Sequence, residues 1–371
     1  FIQGRPILMS IMLILAWAVA ANFMGGFVLL FIAYPILNNL LDQAKIDRGS
    51  LYANLMRVGI FGAAFVGPSV KGVVTALDLQ RIGIFNDAMA SQGAAGVNNT
   101  TYTIVTTILL LAYYIILPLV FKFLFRADMT NLKNTDFRTL EGMEAKKFTA
   151  DQIILIIAFL VYAFYGFICK IFPDGTVFRL KMNSIGLAAW GMVVIVILNC
   201  IRIKGKPIFD NTECFQKGVN WGLCFIMGTF SLIGGALTSP DTGIQPWLSE
   251  VAKPLFEGKP VIFIIFLLVL CCTVVTQFFS NTATGTIFAA IAVGACLPFM
   301  ASGKVSPTVL AIACNVCSMN AYLTWSACGA SPILLGEEGV TSKFIWTHGV
   351  ATLGVFIVVT TVVLALANMV I

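Results

Sequence analysis

Apolar stretches follow one another from Pro6 to Ile371 with short loops between them, and the one longer polar loop, Arg126 to Thr149, is too small to bury a core. Such a chain folds in a bilayer as one membrane domain. A hydrophobic fraction of 59% against 11% charged residues puts all of it in the multi-pass membrane class. The net charge of +6 does not point to nucleic acid, because the basic residues sit between apolar spans and build no aromatic-interleaved basic face. Lys122, Arg126, Lys133, Arg138, Lys146 and Lys147 mark one loop as cytoplasmic, and Arg202, Lys204, Lys206 and Lys217 mark another. All ten cysteines lie in or close to apolar segments, and Cys314-x-x-Cys317 has no second ligand pair, so they read as buried thiols and not as a zinc or redox site.

Several apolar stretches are broken where a spanning helix should be continuous. Val261 to Phe279 and Ile287 to Met300 flank the polar run Ser280-Asn281-Thr282-Ala283-Thr284-Gly285. Each arm is short for a hydrocarbon core of about 30 Å. In lipid an irregular backbone must be buried in protein or line a cavity, so the pair reads as a re-entrant hairpin whose tip is a binding site. The hydroxyl and amide oxygens of Ser280, Asn281 and Thr282 suit a cation, while their hydrogens and a half-helix N-terminus suit an anion.

Pro6 to Ala20 and Phe27 to Leu41 flank Ala21-Asn22-Phe23-Met24-Gly25-Gly26 in the same layout, with Gly25-Gly26 read as a close helix contact. A broken span follows each hairpin. Tyr52 to Val66 breaks at Gly67-Pro68-Ser69-Val70-Lys71-Gly72, and Pro307 to Leu323 at Ala327-Cys328-Gly329-Ala330-Ser331-Pro332. Val73 to Leu79 is too brief to cross alone and runs into a Gly, Asn and Ala loop. Tyr102 to Phe125, Ile153 to Phe172, Ile185 to Ile201, Val219 to Thr238 and Phe344 to Ile371 are the remaining spans.

With the basic loops inside, the first hairpin enters from the cytoplasm and the second from the outer side. The expected fold is an all-α polytopic membrane protein built as an inverted repeat of two re-entrant hairpins and two broken helices, with its sites near the midplane. Residues 1–100 form the first half, residues 101–218 the scaffold and connecting helices, and residues 219–371 the second half.

Ser280-Asn281-Thr282-Ala283-Thr284 after an apolar arm resembles the Ser-Asn-Thr signature of the divalent anion sodium symporter family. Gly234-Gly235-Ala236-Leu237 looks like that family's glycine-rich span, and Ser331-Pro332 like its second helix break. The likeness covers nearly the whole chain. It implies a transporter of a small anion, di- or tricarboxylate-like, coupled to sodium (Na+) by elevator-type alternating access in a homodimer of a bacterial inner (plasma) membrane. Sodium binds first and preorganises a positive pocket, so coupling is electrostatic linkage. Family members carry about three helices before the first hairpin, and the chain is expected to lack those scaffold helices.

Carried over by resemblance, Thr276, Ser280 and Asn281 line one sodium site, completed by backbone carbonyls near Ala330. Asn281 and Thr282, with Ser331 and Pro332, meet a substrate carboxylate, while Asn22 and Gly67 correspond to the other cation site. Ala21 and Phe23 stand where the family has Ser and Thr, so the first cation site loses a ligand and Phe23 narrows the substrate cavity on that side or turns away from it. A sodium-independent exchanger or an anion channel is the alternative. Lys71, at the break, either supplies an ammonium in place of the missing cation or snorkels to the outer interface.

His348 has no acid or thiol at catalytic spacing and reads as structural, Glu337 and Glu338 as solvated turn residues, and Asp78 as interfacial. No Ser-His, paired-Asp or His-Glu constellation stands inside the spans, so the sequence does not read as an enzyme.

Overall fold

The computed structural model describes residues 4–22, 25–70, 76–134, 149–171, 176–203, 205–218, 221, 242–243, 247, 250–251, 254 and 258–371. The glycine-rich stretch at 234–237, Phe23 and Lys71 lie outside them. The chain divides into two compact units, Phe1–Thr139 with Ile226–Ile371, and Leu140–Phe225.

In the larger unit, α1 (Pro6–Ala20) and α2 (Gly26–Gln43) form the first helical pair. α3 (Leu51–Val66) passes into a 3-10 turn at Gly67–Val70, and α4 (Ala76–Ser91) follows. α5 (Asn99–Phe123) and a short α6 (Thr130–Asn134) complete the first half. The smaller unit contributes α7 (Ala150–Ile171) and α8 (Val177–Cys200), then a two-stranded ribbon, β1 (Arg202–Ile203) antiparallel to β2 (Lys206–Pro207). Back in the larger unit, α9 (Val261–Val275) and α10 (Asn281–Ala301) form the second pair. α11 (Pro307–Met319) breaks before α12 (Ser331–Leu335), and α13 (Ser342–Val370) closes the chain.

Capping residues set the boundaries. Ser50 Oγ accepts from Ala53 N at the start of α3, and Asn98 Oδ1 accepts from Thr101 N at the start of α5. Proline opens α1, α11 and α12, where its missing N–H costs nothing. α2, α5, α10 and α13 are long and apolar enough to cross a membrane. α1, α3, α9 and α11 are shorter apolar helices. The order helix–tip–helix, then helix–break–helix, therefore occurs twice.

α5 and α13 pack on each other in the larger unit. Tyr113 of α5 meets Phe356 of α13 edge-on, with centroids 5.1 Å apart. α1 lies against α3, where a Cβ on Gly59 would come within 2.8 Å of Ile14 Cδ1. Gly26 is the close contact anticipated in the first tip, for a Cβ there would stand 2.9 Å from Ala64 O; Gly25 faces open space.

Four sequence expectations change. The helix that holds Leu79 does not stop there but runs as α4 from Ala76 to Ser91, with Asp78 and Arg81 facing protein. Asp78 and Arg81, one turn apart on α4, are 2% and 0% exposed, so Asp78 is not interfacial. Glu337 is not a solvated turn residue either. Its Oε2 lies 3.2 Å from Nε of Arg57, whose side chain is wholly buried while that of Glu337 is 22% exposed. Cys200 is exposed, at the end of an apolar helix, whereas Cys272, Cys296, Cys314 and Cys317 are buried as expected. His348 packs between Phe344 and Phe125, with ring centroids 5.5 Å and 5.2 Å away.

Candidate functional site

The second tip and the break after α11 share one buried polar seam. Gln277, two residues past the end of α9, stitches the unwound chain together. Its Nε2 donates to Thr273 O and to Asn320 O at 2.7 Å, and its Oε1 accepts from Tyr322 N and Leu323 N, each at 3.0 Å. Thr324 Oγ1 donates to the Gln277 carbonyl. One side-chain amide thus does for residues 320–323 what a helix would have done, which is how non-helical backbone is tolerated when buried in protein. Gln277→Leu strips partners from three buried backbone groups at about 1–3 kcal/mol each. Thermal unfolding in detergent should show Tm lower by roughly 5 °C or more; an unchanged Tm would remove the stitching role.

Beside this stitch lies a cluster of oxygens. Thr276 Oγ1 donates to Ser318 O at 2.7 Å. One terminus of the Asn281 amide stands 3.2 Å from Thr276 Oγ1, 3.2 Å from Ser318 O and 3.3 Å from Ala327 O. The single hydroxyl hydrogen of Thr276 is spent on Ser318, and carbonyls only accept, so with no cation the Asn281 terminus facing them is its NH2. A half-turn of the amide presents Oδ1 instead. The group then becomes four oxygens from the tip, from the end of α11 and from the break, a ligand set suited to a hard cation.

The cluster takes Thr276 and Asn281 from the residues singled out in the sequence and differs at the rest. Ala330 is buried, but the carbonyl that reaches Asn281 belongs to Ala327, three residues earlier. Ser280 is the N-cap of α10 and makes no side-chain capping bond. Ser331 Oγ is committed within the break, donating to Ala321 O at 3.2 Å and accepting from Cys328 N at 3.1 Å. Pro332 is exposed at the first turn of α12.

Around the first tip, Asn22 folds back over α1, its Nδ2 donating to Ala18 O at 2.8 Å and Val19 O at 3.3 Å. Ala21 is buried, and Gly67 reaches the same Ala18 carbonyl, which a Cβ there would approach to 3.1 Å. Asn22, Ala21 and Gly67 are thus neighbours about one peptide. Among the described residues no hydrogen bond joins Asn22 to Asn281. The second break reaches α3, where Phe61 lies 6.0 Å from Tyr322, centroid to centroid.

Sequence reasoning passed over Gln277, Ser318, Ala327 and Arg81. Gln277 carried a legible signal, since it is a long polar side chain closing an otherwise apolar arm. Ser318 and Ala327 act through carbonyls, which side-chain type does not reveal. Arg81 reaches the tip from α4: Nη2 donates to Asn281 O at 2.9 Å and Thr282 O at 3.3 Å, and Nη1 to Ser318 Oγ at 3.1 Å and Asn315 Oδ1 at 3.4 Å. No group of three or more metal-binding side chains occurs among the described residues.

No curated protein matches this chain at a significant level. The family model described as the sodium:sulfate symporter transmembrane region matches residues 6–371, a span that takes in both hairpins, both breaks and the last helix. That family is one of transporters, not of enzymes. With the match covering all but the first five residues, the chain belongs to the sodium:sulfate symporter family, the divalent anion sodium symporters that its Ser280-Asn281-Thr282 resembles.

Proposed function

We propose that this protein is a secondary active transporter that couples sodium to a small anion carrying two or more negative charges, of sulfate or dicarboxylate type. The observation that carries this reading is the convergence of the Asn281 amide, Thr276 Oγ1, Ser318 O and Ala327 O at a helix break. Sodium held there would add a positive charge beside the N-terminal end of α10, where the backbone N–H groups and the helix dipole already favour an anion. Thr282 and the N–H groups of that first turn are the substrate-facing candidates. The anion then binds well only after the cation, without a cluster of arginines.

Alternating access would be of the elevator type, in a homodimer, with the two hairpin-and-break halves oppositely oriented and carrying the site past a static scaffold. The twofold helix–tip–helix and helix–break–helix order supports this arrangement. The first tip favours a second reading. Ala21 offers no ligand and the Asn22 amide is engaged with Ala18, so a reduced sodium requirement, or exchange without sodium, fits that half.

Uptake of labelled sulfate, succinate and citrate into proteoliposomes, with and without an inward sodium gradient, separates the readings. Saturable uptake that the gradient drives is the expected result. Uptake that needs internal anion and ignores sodium would replace the symporter with an exchanger, and non-saturable flux would replace both with a channel.

A further inference from the structure

We propose that Arg81 is the positioning residue of the cation cluster, a guanidinium brace that fixes the distance between the two residues on which the cluster depends. The proposal rests on the reading of that cluster as a sodium site. Asn281 gives its side-chain amide to the cluster and its backbone carbonyl to Arg81. Ser318 does the converse, giving its carbonyl to the cluster and its hydroxyl to Arg81. The same two residues are therefore held from two directions, by the oxygen cluster and by a planar fork of donors. The fork spans α4, the first turn of α10 and the end of α11, so any shift of the hairpin tip against the break must break bonds to a buried charge.

The fit is built into the neighbouring helix. Gly285 lies one turn along α10 from Asn281, and a Cβ at that position would fall inside the Arg81 guanidinium. Glycine there has no turn or unusual dihedral to serve, since α10 is helical on both sides of it. Its use is to let the arginine head pass. Asn315, which accepts from Nη1, is itself held by the Tyr102 hydroxyl at 3.1 Å, so the brace is anchored on α5 as well.

Two substitutions disturb the brace in different ways. Arg81→Lys keeps the charge and loses the fork, because an ammonium is a point donor that cannot span four acceptors in this geometry. Gly285→Ala keeps the arginine and displaces its head. Each should raise the sodium concentration for half-maximal anion uptake by about tenfold or more, while uptake at saturating sodium is largely retained. Sodium-induced thermal stabilisation of the purified protein should shrink in parallel.

Gly59→Ala, a close helix contact whose Cβ would meet Ile14 and Leu117 and no residue of the cluster, serves as the packing control; it should lower Tm and leave the sodium half-saturation where it was. Should Arg81→Lys and Gly285→Ala fail to fold, Ser318→Ala carries the test, because it removes one guanidinium acceptor and leaves the carbonyl ligand. A rise of about threefold or more is expected for it. Sodium half-saturation equal to wild type in the folded variants, whatever their Tm, would overturn the brace. A wild type with no sodium dependence would instead sink the sodium reading of the cluster, so the two failures are distinguishable.

Discussion

Asn281→Ala is expected to bring anion uptake in proteoliposomes to background at physiological sodium, with the protein still folded. The side chain is removed from N1 of α10, where alanine is a good helix former, and the backbone carbonyl that holds Arg81 remains. What is lost is the one cluster member able to turn either a donor or an acceptor toward Thr276, Ser318 and Ala327. A ligand to a charged group contributes about 1.5–3 kcal/mol, or roughly 10- to 150-fold in affinity, and because anion binding depends on the cation the loss is felt twice. Sodium and anion half-saturation should rise together, and because Ser318 O and Ala327 O lose the amide donor, Tm in the absence of sodium should fall by a few degrees with the fold kept. Uptake unaltered by the substitution would mean the cluster is no more than a structural hydrogen-bond group.

Arg57→Met should give the largest loss of stability of any single change considered. Arg57 is an arginine inside α3 with every facing group polar: Nη1 donates to Arg48 O, Asn54 Oδ1 and Glu338 O, Nη2 to Asn38 Oδ1 at 2.8 Å, and Nε faces Glu337. It ties α2, α3 and the loop at 44–50 to the turn after α12. At that turn Gly339 is so close to Gly49 that a Cβ would collide with it. Removing one partner of a buried ion pair costs about 3–5 kcal/mol, which should appear as Tm lower by about 10 °C or more in detergent. Glu337→Gln, which keeps an acceptor, should cost far less. Equal Tm for wild type and Arg57→Met would show that the cluster contributes nothing to holding these segments.

The two arginines explain where the sequence was legible and where it was not. The hairpin arms and breaks could be read because apolar length against bilayer thickness is a strong constraint: the first arms were expected at Pro6 to Ala20 and Phe27 to Leu41 and are found at Pro6–Ala20 and Gly26–Gln43. α4 could not be read in the same way. Asp78, Arg81, Asn86 and Asp87 give it the composition of a loop, and only the burial of Asp78 and Arg81 against α10 and α11 shows that it is a polar helix lodged in protein. Arg57 was overlooked because its span is mostly apolar, and Glu337 was misjudged because its partner lies on a helix distant in sequence.

The site divides along similar lines. Side chains that announce their chemistry at a tip, such as Thr276 and Asn281, can be picked out from sequence, whereas the carbonyls of Ser318 and Ala327 become apparent only once the break has a shape. Ser331 stands at a family position, and its hydroxyl also bonds within the break, to Ala321 O and Cys328 N. A short side chain beside unwound backbone has two uses, and pattern alone does not choose between them.

The claim that sodium and anion share one linked site is tested most directly by binding both to the purified protein. Labelled sodium is titrated with and without saturating sulfate or succinate, and the labelled anion with and without saturating sodium. Linkage requires that each ligand raise the affinity of the other by the same factor. The expected result is a mutual increase of about 5- to 150-fold that is lost in Asn281→Ala. Sodium binding indifferent to the anion, or an anion affinity unchanged by sodium in the wild type, would contradict it.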